Sequence, residues 1–156
     1  MQKKIIAHRG NLDGPNPERE NRPKYIRDAI DAGFDVEVDV WFIDGKWKLG
    51  HDAPMYRIAW EGIASMSHVA WLHCKNIEAM SELWRRRTCW PYHKSIADLC
   101  YFWHQNDDVA LTSCGKLWTF PGKLLTLHSI AVMPEREPDW DLSLACGICT
   151  DYPRLH

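Results

Sequence analysis

The chain has 156 residues, enough for one domain with a real core and too few for two ordinary ones. Its formal net charge is -2 with acids and bases interspersed, which excludes the basic footprint of a nucleic-acid binder. Although 46% of it is hydrophobic, no apolar run approaches the roughly 18 residues of a membrane span. The basic N-terminus has no apolar stretch long enough for a secretory signal, so a mature chain beginning near Met1 and a cytoplasmic location are expected.

Residues 4–8 (KIIAH) read as a short apolar strand ending in His8-Arg9-Gly10, followed by a turn-rich loop over 11–17. Asn21-Arg22-Pro23 reads as a helix start with Asn21 as N-cap, and Gly33 closes that helix. The next stretch, GFDVEVDVWFIDGKWKLGHD over 33–52, carries the densest chemistry. Glu37 and Asp39 are two apart, so on a strand both side chains share one face. Asp44-Gly45 between β-rich flanks is a strong hairpin signal. A two-residue loop pairs positions summing to 89 and returns His51 opposite Val38, level with the two acids.

Strand, helix and strand in succession imply parallel pairing. A helix is expected around 58–66, a strand over 70–75 (AWLHCK), and an amphipathic helix capped by Asn76. Arg85, Arg86 and Arg87 end that helix, where positive charge opposes the dipole's negative end. A short helix over 91–97 and strands over 100–104, 109–112, 116–120, 129–133 and 147–150 follow, giving eight strands in all. Six cysteines can in principle pair, but without a signal peptide reduced thiols are expected, and Cys146-Gly-Ile-Cys149 reads as structural thiols in an apolar strand.

His8-Arg9-Gly10, Glu20-Asn21, Glu37-Val-Asp39, Asp44-Gly45 and His51-Asp52 form an ordered series. This series resembles the glycerophosphodiester phosphodiesterase family, most specifically over residues 5–52. Cys149-Thr150-Asp151-Tyr152-Pro153 resembles the Thr-Asp-x-Pro that closes the family's last strand, and Trp118-Thr119 a late-strand Trp-Thr. The resemblance implies one domain over 1–156 with a compact, reduced (β/α)8 TIM-type barrel. Because such barrels use ~250 residues, several outer helices must be shortened or missing. It implies His8 and His51 as the acid–base pair and Arg9 and Lys75 on the phosphate; Asn21 is a candidate substrate contact or only a helix cap, and Trp118 a substrate contact in the pocket wall or a core residue. Glu37 and Asp39 would bind a divalent metal, with His73 standing where the family carries a glutamate. A hard Mg²⁺ or Ca²⁺ prefers oxygen, whereas an imidazole favours Mn²⁺ or Zn²⁺. Glu135 is a further candidate carboxylate. For His104, Asn106, Asp107 and Asp108 a polar turn is expected, with contact to substrate or metal as the alternative.

The function implied is metal-dependent hydrolysis of a glycerophosphodiester-type substrate, a small molecule or lipid-derived diester, with self-association of the chain left open. Alternatives are a phospholipase-D-like lyase that forms a cyclic phosphate, and a non-catalytic relative that binds a phosphate ligand. Which histidine is acid and which is base stays open at this level.

Overall fold

Asp44 and Gly45 both take positive φ, 50° and 72°, the pair of conformations a type I′ hairpin turn requires. They join β2 (Asp35–Ile43) to β3 (Lys46–Leu49). The ladder pairs Ile43 with Lys46, Phe42 with Trp47 and Val40 with Leu49, the register expected from the spacing. The computed structural model describes residues 3–89 and 94–156. β1 (Lys4–Ala7) and β5 (Ala70–Cys74) run parallel to β2 on either side of it, and β6 (Cys100–Phe102) lies parallel beside β5. Beyond β1 come β10 (Gly147–Thr150), β9 (Ser129–Val132) and β8 (Leu117–Thr119), all parallel, then β7 (Val109–Leu111) antiparallel to β8. A strand that the sequence reading missed, β4 (Tyr56–Ile58), extends the hairpin by pairing with β3.

This is not a (β/α)8 TIM barrel. The strands curl in the order β6-β5-β2-β1-β10-β9-β8-β7 into a mixed half-barrel, and β6 and β7 share no ladder. Its helices are short: α1 (Pro23–Asp31), α2 (Trp60–Ser65), α3 (Ile77–Cys89) and a single turn, α4 (Lys94–Ala97). From β6 onward no α-helix joins one strand to the next among the described residues. Chain length is the physical reason. Residues 103–108, 112–116 and 120–128 connect successive strands, whereas a helical crossover needs a dozen or more; residues 133–146 are long enough but hold only a 3-10 turn, Pro134–Arg136. The eight expected strands are present, but the ring of helices that defines the TIM barrel is not. Of the helix expected over 91–97, residues 91–93 lie outside the described residues.

Local signals explain the helices that do form. Gly33, at φ 93°, closes α1 as expected, and the Asn76 side chain accepts the Ala79 N–H at the start of α3 (3.2 Å). Asn21 is not the cap of α1; Arg22 holds that position, without a side-chain bond. Asn21 is drawn instead into a buried contact described below.

Strand alternation sorts the side chains between two cores. Val36, Val38 and Val40 of β2 and Leu72 of β5 face out and pack beneath the helices with Ile26, Ala29 and Leu83. Each fully buried Val, Leu or Ile side chain here contributes roughly 1.5–3 kcal/mol. The alternate residues face into the curl. There Ile6, Trp71, Phe102, Trp118, Ile130 and Cys149 form an apolar plug, and the next residues up the strands are polar.

The open seam between β6 and β7 is bridged by Ser113. Its N–H donates to the Tyr101 carbonyl (2.8 Å), and its hydroxyl accepts the Tyr101 N–H (2.9 Å). Arg87 at the end of α3 donates to the Ser113 carbonyl (2.9 Å). A disulfide joins Cys100 of β6 to Cys114 in the β7–β8 turn, which corrects the expectation that all six thiols are reduced. Nothing in their spacing announces the pair; the curl of the sheet brings their Cα atoms to 5.2 Å. Cys146 and Cys149 remain free thiols, Cys149 fully buried in β10. No helix among the described residues is long and apolar enough to cross a membrane.

Candidate functional site

The polar residues above the plug come from the C-terminal ends of parallel strands. Residue 8 follows β1, residues 37 and 39 lie on β2, 73 on β5, 104 beyond β6 and 151 beyond β10. β2 and β5 pair Asp39 with His73, so alternation and register together put Glu37, Asp39 and His73 on one inner face. All three are buried. A ligand atom from each lies within 4.8 Å of the others. His73 Nδ1 is 2.9 Å from Asp39 Oδ1 and 3.7 Å from Glu37 Oε1, yet Asp39 Oδ1 receives no well-aligned hydrogen bond. Bonds of about 2.0–2.5 Å to a shared ion span separations of this size, so the residues fit a divalent cation. Two oxygen donors and one imidazole suit Mn²⁺ or Zn²⁺ better than Mg²⁺ or Ca²⁺.

The other Asp39 oxygen is heavily engaged. Asn21 donates to Asp39 Oδ2 (2.8 Å) and accepts the Asp39 N–H (2.9 Å), a two-point clasp on the buried carboxylate. Arg9 Nε stands 3.2 Å from the same oxygen, and Lys75 Nζ lies 3.7 Å from Oδ1. Burial works to raise Asp39, but His51, His73 and Arg9 around it outweigh burial and hold the carboxyl well below its usual range. Glu37 moves the other way: burial and the neighbouring Asp39 charge raise it, against the opposing pull of His8 and Arg9. Two adjacent carboxylates thus stand in contrasting environments.

Arg9 is the hub of the site. It takes positive φ (52°), as do Asn21 (61°) and Met133 (50°) around the same cleft. Such conformations cost of order 1–3 kcal/mol for residues with a side chain and cluster where function requires them. Arg9 Nη1 donates to Glu20 (3.0 Å) and its backbone N–H to Glu37 (3.2 Å). Arg9 Nη2 lies 2.7 Å from His51 Nδ1, and Lys75 Nζ lies 3.3 Å from that nitrogen. A guanidinium can only donate, so His51 Nδ1 is an acceptor and the proton of the neutral ring sits on Nε2. Asp39 Oδ2, at 3.3 Å, is as far from Nδ1 as Lys75 and farther than Arg9.

His8 has the opposite arrangement. Its Nδ1 lies 2.8 Å from Asp151 Oδ1. A carboxylate only accepts, so Nδ1 carries the proton and Nε2, 4.0 Å from Glu37, has the lone pair. Burial works to lower the His8 pKa, but the bond to Asp151 and the charge of Glu37 outweigh it and the net shift is upward. Asn11 also donates to Asp151 (2.8 Å) and to Glu20 (2.9 Å), tying the histidine's support to the arginine's.

Each residue named from the sequence has a defined place. His8, Arg9, Glu37, Asp39, His51, His73 and Lys75 converge, and Asn21 reaches them through Asp39. Trp118 stands apart from the polar cluster; its ring is buried against Phe102 (4.6 Å) and Trp71 (5.7 Å), although it lines the cleft floor. Glu135 is not beside the triad. It accepts from the Thr150 hydroxyl (3.0 Å) and the Asp151 N–H (2.9 Å), bracing the loop that holds Asp151.

Three contributors were missed or undervalued. Asp151 was noted only as part of a motif, and its bond to His8 spans 143 positions. His104 belongs to the cleft wall, stacked on His73 at 4.5 Å. Burial and the charges of His73 and Lys75 lower its pKa to about 4. The alternation Cys100-Phe102-His104 was the available signal, because residues two apart share a face. Arg136, exposed at the rim, left no signal.

The chain matches no family model, no curated protein and no solved structure.

Proposed function

We propose that this chain is a metal-dependent phosphodiester hydrolase of glycerophosphodiester type, with His8 as general base and His51 as general acid. The observation that carries the reading is the opposite wiring of the two imidazoles. His8 donates through Nδ1 to Asp151 and keeps a lone pair on Nε2; His51 accepts at Nδ1 from Arg9 and keeps a proton on Nε2. Base and acid are therefore assigned by their partners before substrate arrives. Glu37, Asp39 and His73 would hold the divalent cation, which when bound supplies charge neutralisation at the phosphate and a more acidic water.

The chemistry asked of the side chains is balanced. His8 Nε2 takes a proton from water as its oxygen forms a bond to phosphorus. The bond from phosphorus to the departing alcohol breaks, and His51 Nε2 gives its proton to that oxygen; the negative charge left on the His51 ring faces Arg9 and Lys75 at Nδ1, and the proton that His8 took is released as His51 is reprotonated. Arg9, with N–H groups left beyond those used by Glu20, Asp39 and His51, and Lys75 offer donors to the phosphate oxygens. The ordered motifs from His8 to Asp52 support the phosphodiesterase reading, with the acid and base roles resting on the wiring alone.

One observation favours a second reading, a phosphate-ligand binder without catalysis. Arg9 and Lys75 already offset the charge of Asp39 at 3.2 and 3.7 Å, so the pocket is partly neutralised without a cation. The deciding experiment incubates the protein with a glycerophosphodiester and Mn²⁺, Zn²⁺, Mg²⁺ or Ca²⁺ in turn. Release of the alcohol, abolished by chelator and by His8→Ala, is expected. Absence of turnover with every metal, together with no divalent binding but intact binding of the glycerophosphodiester by titration, rejects the hydrolase in favour of the binder.

A further inference from the structure

Among the described residues nothing covers the outer face of α3. Ala79 and Leu83 turn inward and join the buried core with Val40 and Leu72, while Ile77 and Trp84 on the other side are 64% and 62% exposed. At 3.6 residues per turn, positions seven apart fall nearly in line along a helix. Ile77 and Trp84 therefore form one row, and Glu78 and Arg85 a second row beside it. Ser81, small and exposed, lies between the rows at their midpoint. Glu82 holds Arg85 through two bonds of 2.7 and 2.8 Å, which keeps its charge on the second row's side of the helix.

The two rows complement themselves. A two-fold axis passing between two copies, level with Ser81, sets their α3 helices antiparallel; it reverses each row end for end and leaves it facing its own kind. Ile77 then meets Trp84 of the partner subunit, and Glu78 meets Arg85 of the partner subunit, each contact made twice. A parallel pair would lay the apolar row of one copy on the charged row of the other. Beside the charged row opens a cavity of about 620 Å³, lined by Phe42, Ile43 and Ile77 together with the acids Asp44, Glu78 and Glu82 and, among the described residues, by no basic side chain. Apolar walls with acidic groups suit the long stem and cationic head of an arginine. The antiparallel pairing delivers the partner's Arg85 to Glu78 in the wall of that cavity.

We propose that α3 is the interface of a homodimer, two copies of this chain pairing antiparallel through Ile77, Glu78, Trp84 and Arg85. The interface stands apart from the proposed chemistry, since none of these four residues lines the catalytic cavities. Burial of Trp84 drives the association, because a Trp covers roughly 150–250 Å² and is among the residues that most often dominate an interface. The two acid–base contacts select the orientation and the partner. A single helix face falls short of the ~800 Å² that each partner of a standard stable complex buries, so the dimer is weak and concentration-dependent.

Sedimentation equilibrium of the whole chain over about 10–500 µM, the range in which a small interface assembles, tests the pairing. Wild type is expected to rise from the mass of one chain toward that of two. Trp84→Ala is expected to raise the dissociation constant at least about tenfold, with circular dichroism showing that this exposed substitution leaves the fold intact. Glu78→Arg and Arg85→Glu each place like charges at both contacts, and each is expected to weaken the dimer by a similar factor. Mixed in equal amounts, these two variants are expected to pair with one another at close to wild-type strength, since every contact again joins an acid to a base. Wild type that stays monomeric throughout overturns the proposal. So does a dimer indifferent to Trp84→Ala, whose interface lies elsewhere, and so do folded charge variants that fail to pair when mixed.

Discussion

Replacing Asp151 by Asn removes a charge from the support of His8 while keeping the side-chain shape. In the native chain Asp151 is 3% exposed and accepts from both His8 and Asn11 at 2.8 Å. A buried hydrogen bond between charged partners contributes about 1.5–3 kcal/mol, so the variant is expected to lose that much stability when both groups would be ionised. The pH window follows from the directions of the shifts. Burial works to raise Asp151, but the bonds from His8 and Asn11 outweigh it and the net shift is below 3.8. Its contribution is present above that value and lost as pH falls through the folded pKa. His8 is shifted above 6.5, so its contribution is full below that value and lost as pH rises through the folded pKa. The stability gap between wild type and Asp151→Asn should therefore be widest near pH 5 and narrow on both sides. Urea unfolding at pH 3, 5 and 8 measures it. In the proposed mechanism the same change lowers kcat/KM about 10–100-fold, the same energy expressed in a rate. A gap that is flat across pH, or a variant as active as wild type, would refute the wiring of His8 through Asp151.

Breaking the seam bridge by Cys114→Ser with Cys100→Ser should cost about 3 kcal/mol, the usual value for a loop of about 15 residues; thermal unfolding with and without reductant reads the same loss in wild type. Gly50→Ala puts a Cβ onto the Ala53 carbonyl at φ 143°. It should destabilise by at least about 1–3 kcal/mol and lower activity through the adjoining His51, checked by calorimetry beside a rate assay. His73→Asp converts the triad to three oxygen donors and should move the metal preference toward Mg²⁺ or Ca²⁺; titration of the apo protein with each ion decides, and an unchanged order of affinities removes His73 from the metal site. Phosphorus NMR of the products should show a monoester without accumulation of a cyclic phosphate, whereas a persistent cyclic product assigns the lyase chemistry instead.

Much of the strand layout was legible because it depends on near neighbours. Asp44-Gly45 specifies a turn that only a narrow backbone geometry can make, and the register of Val40 on Leu49 follows by counting. Glu37 and Asp39 share a face because the side-chain period of a strand is two. Asn21 shows where such local reading stops. As an isolated residue before Arg22-Pro23 it is a good N-cap, but its amide is taken by Asp39, 18 positions away. A buried carboxylate left without donors costs more than a missing cap, so the tertiary contact prevails.

The fold class was misread for a related reason. Eight strands and an ordered set of motifs suit a barrel with an outer helical ring, but three of the connections after Phe102 are too short to hold helices, and the fourth, residues 133–146, holds only a 3-10 turn. The sheet curls without that ring and leaves a seam that Ser113 and a disulfide bridge. By itself the sequence determined the strands other than β4, the hairpin register and the shared face of Glu37 and Asp39, since alternation and turn chemistry act over a few residues; the pairing of β2 with β5 added His73. Only the tertiary structure decided that Asp151 holds His8, that Arg9 holds His51, and that the two imidazoles carry their protons on opposite nitrogens. Those contacts join residues 143 and 42 positions apart, and what brings them together is the order in which the strands pair, which no local pattern encodes.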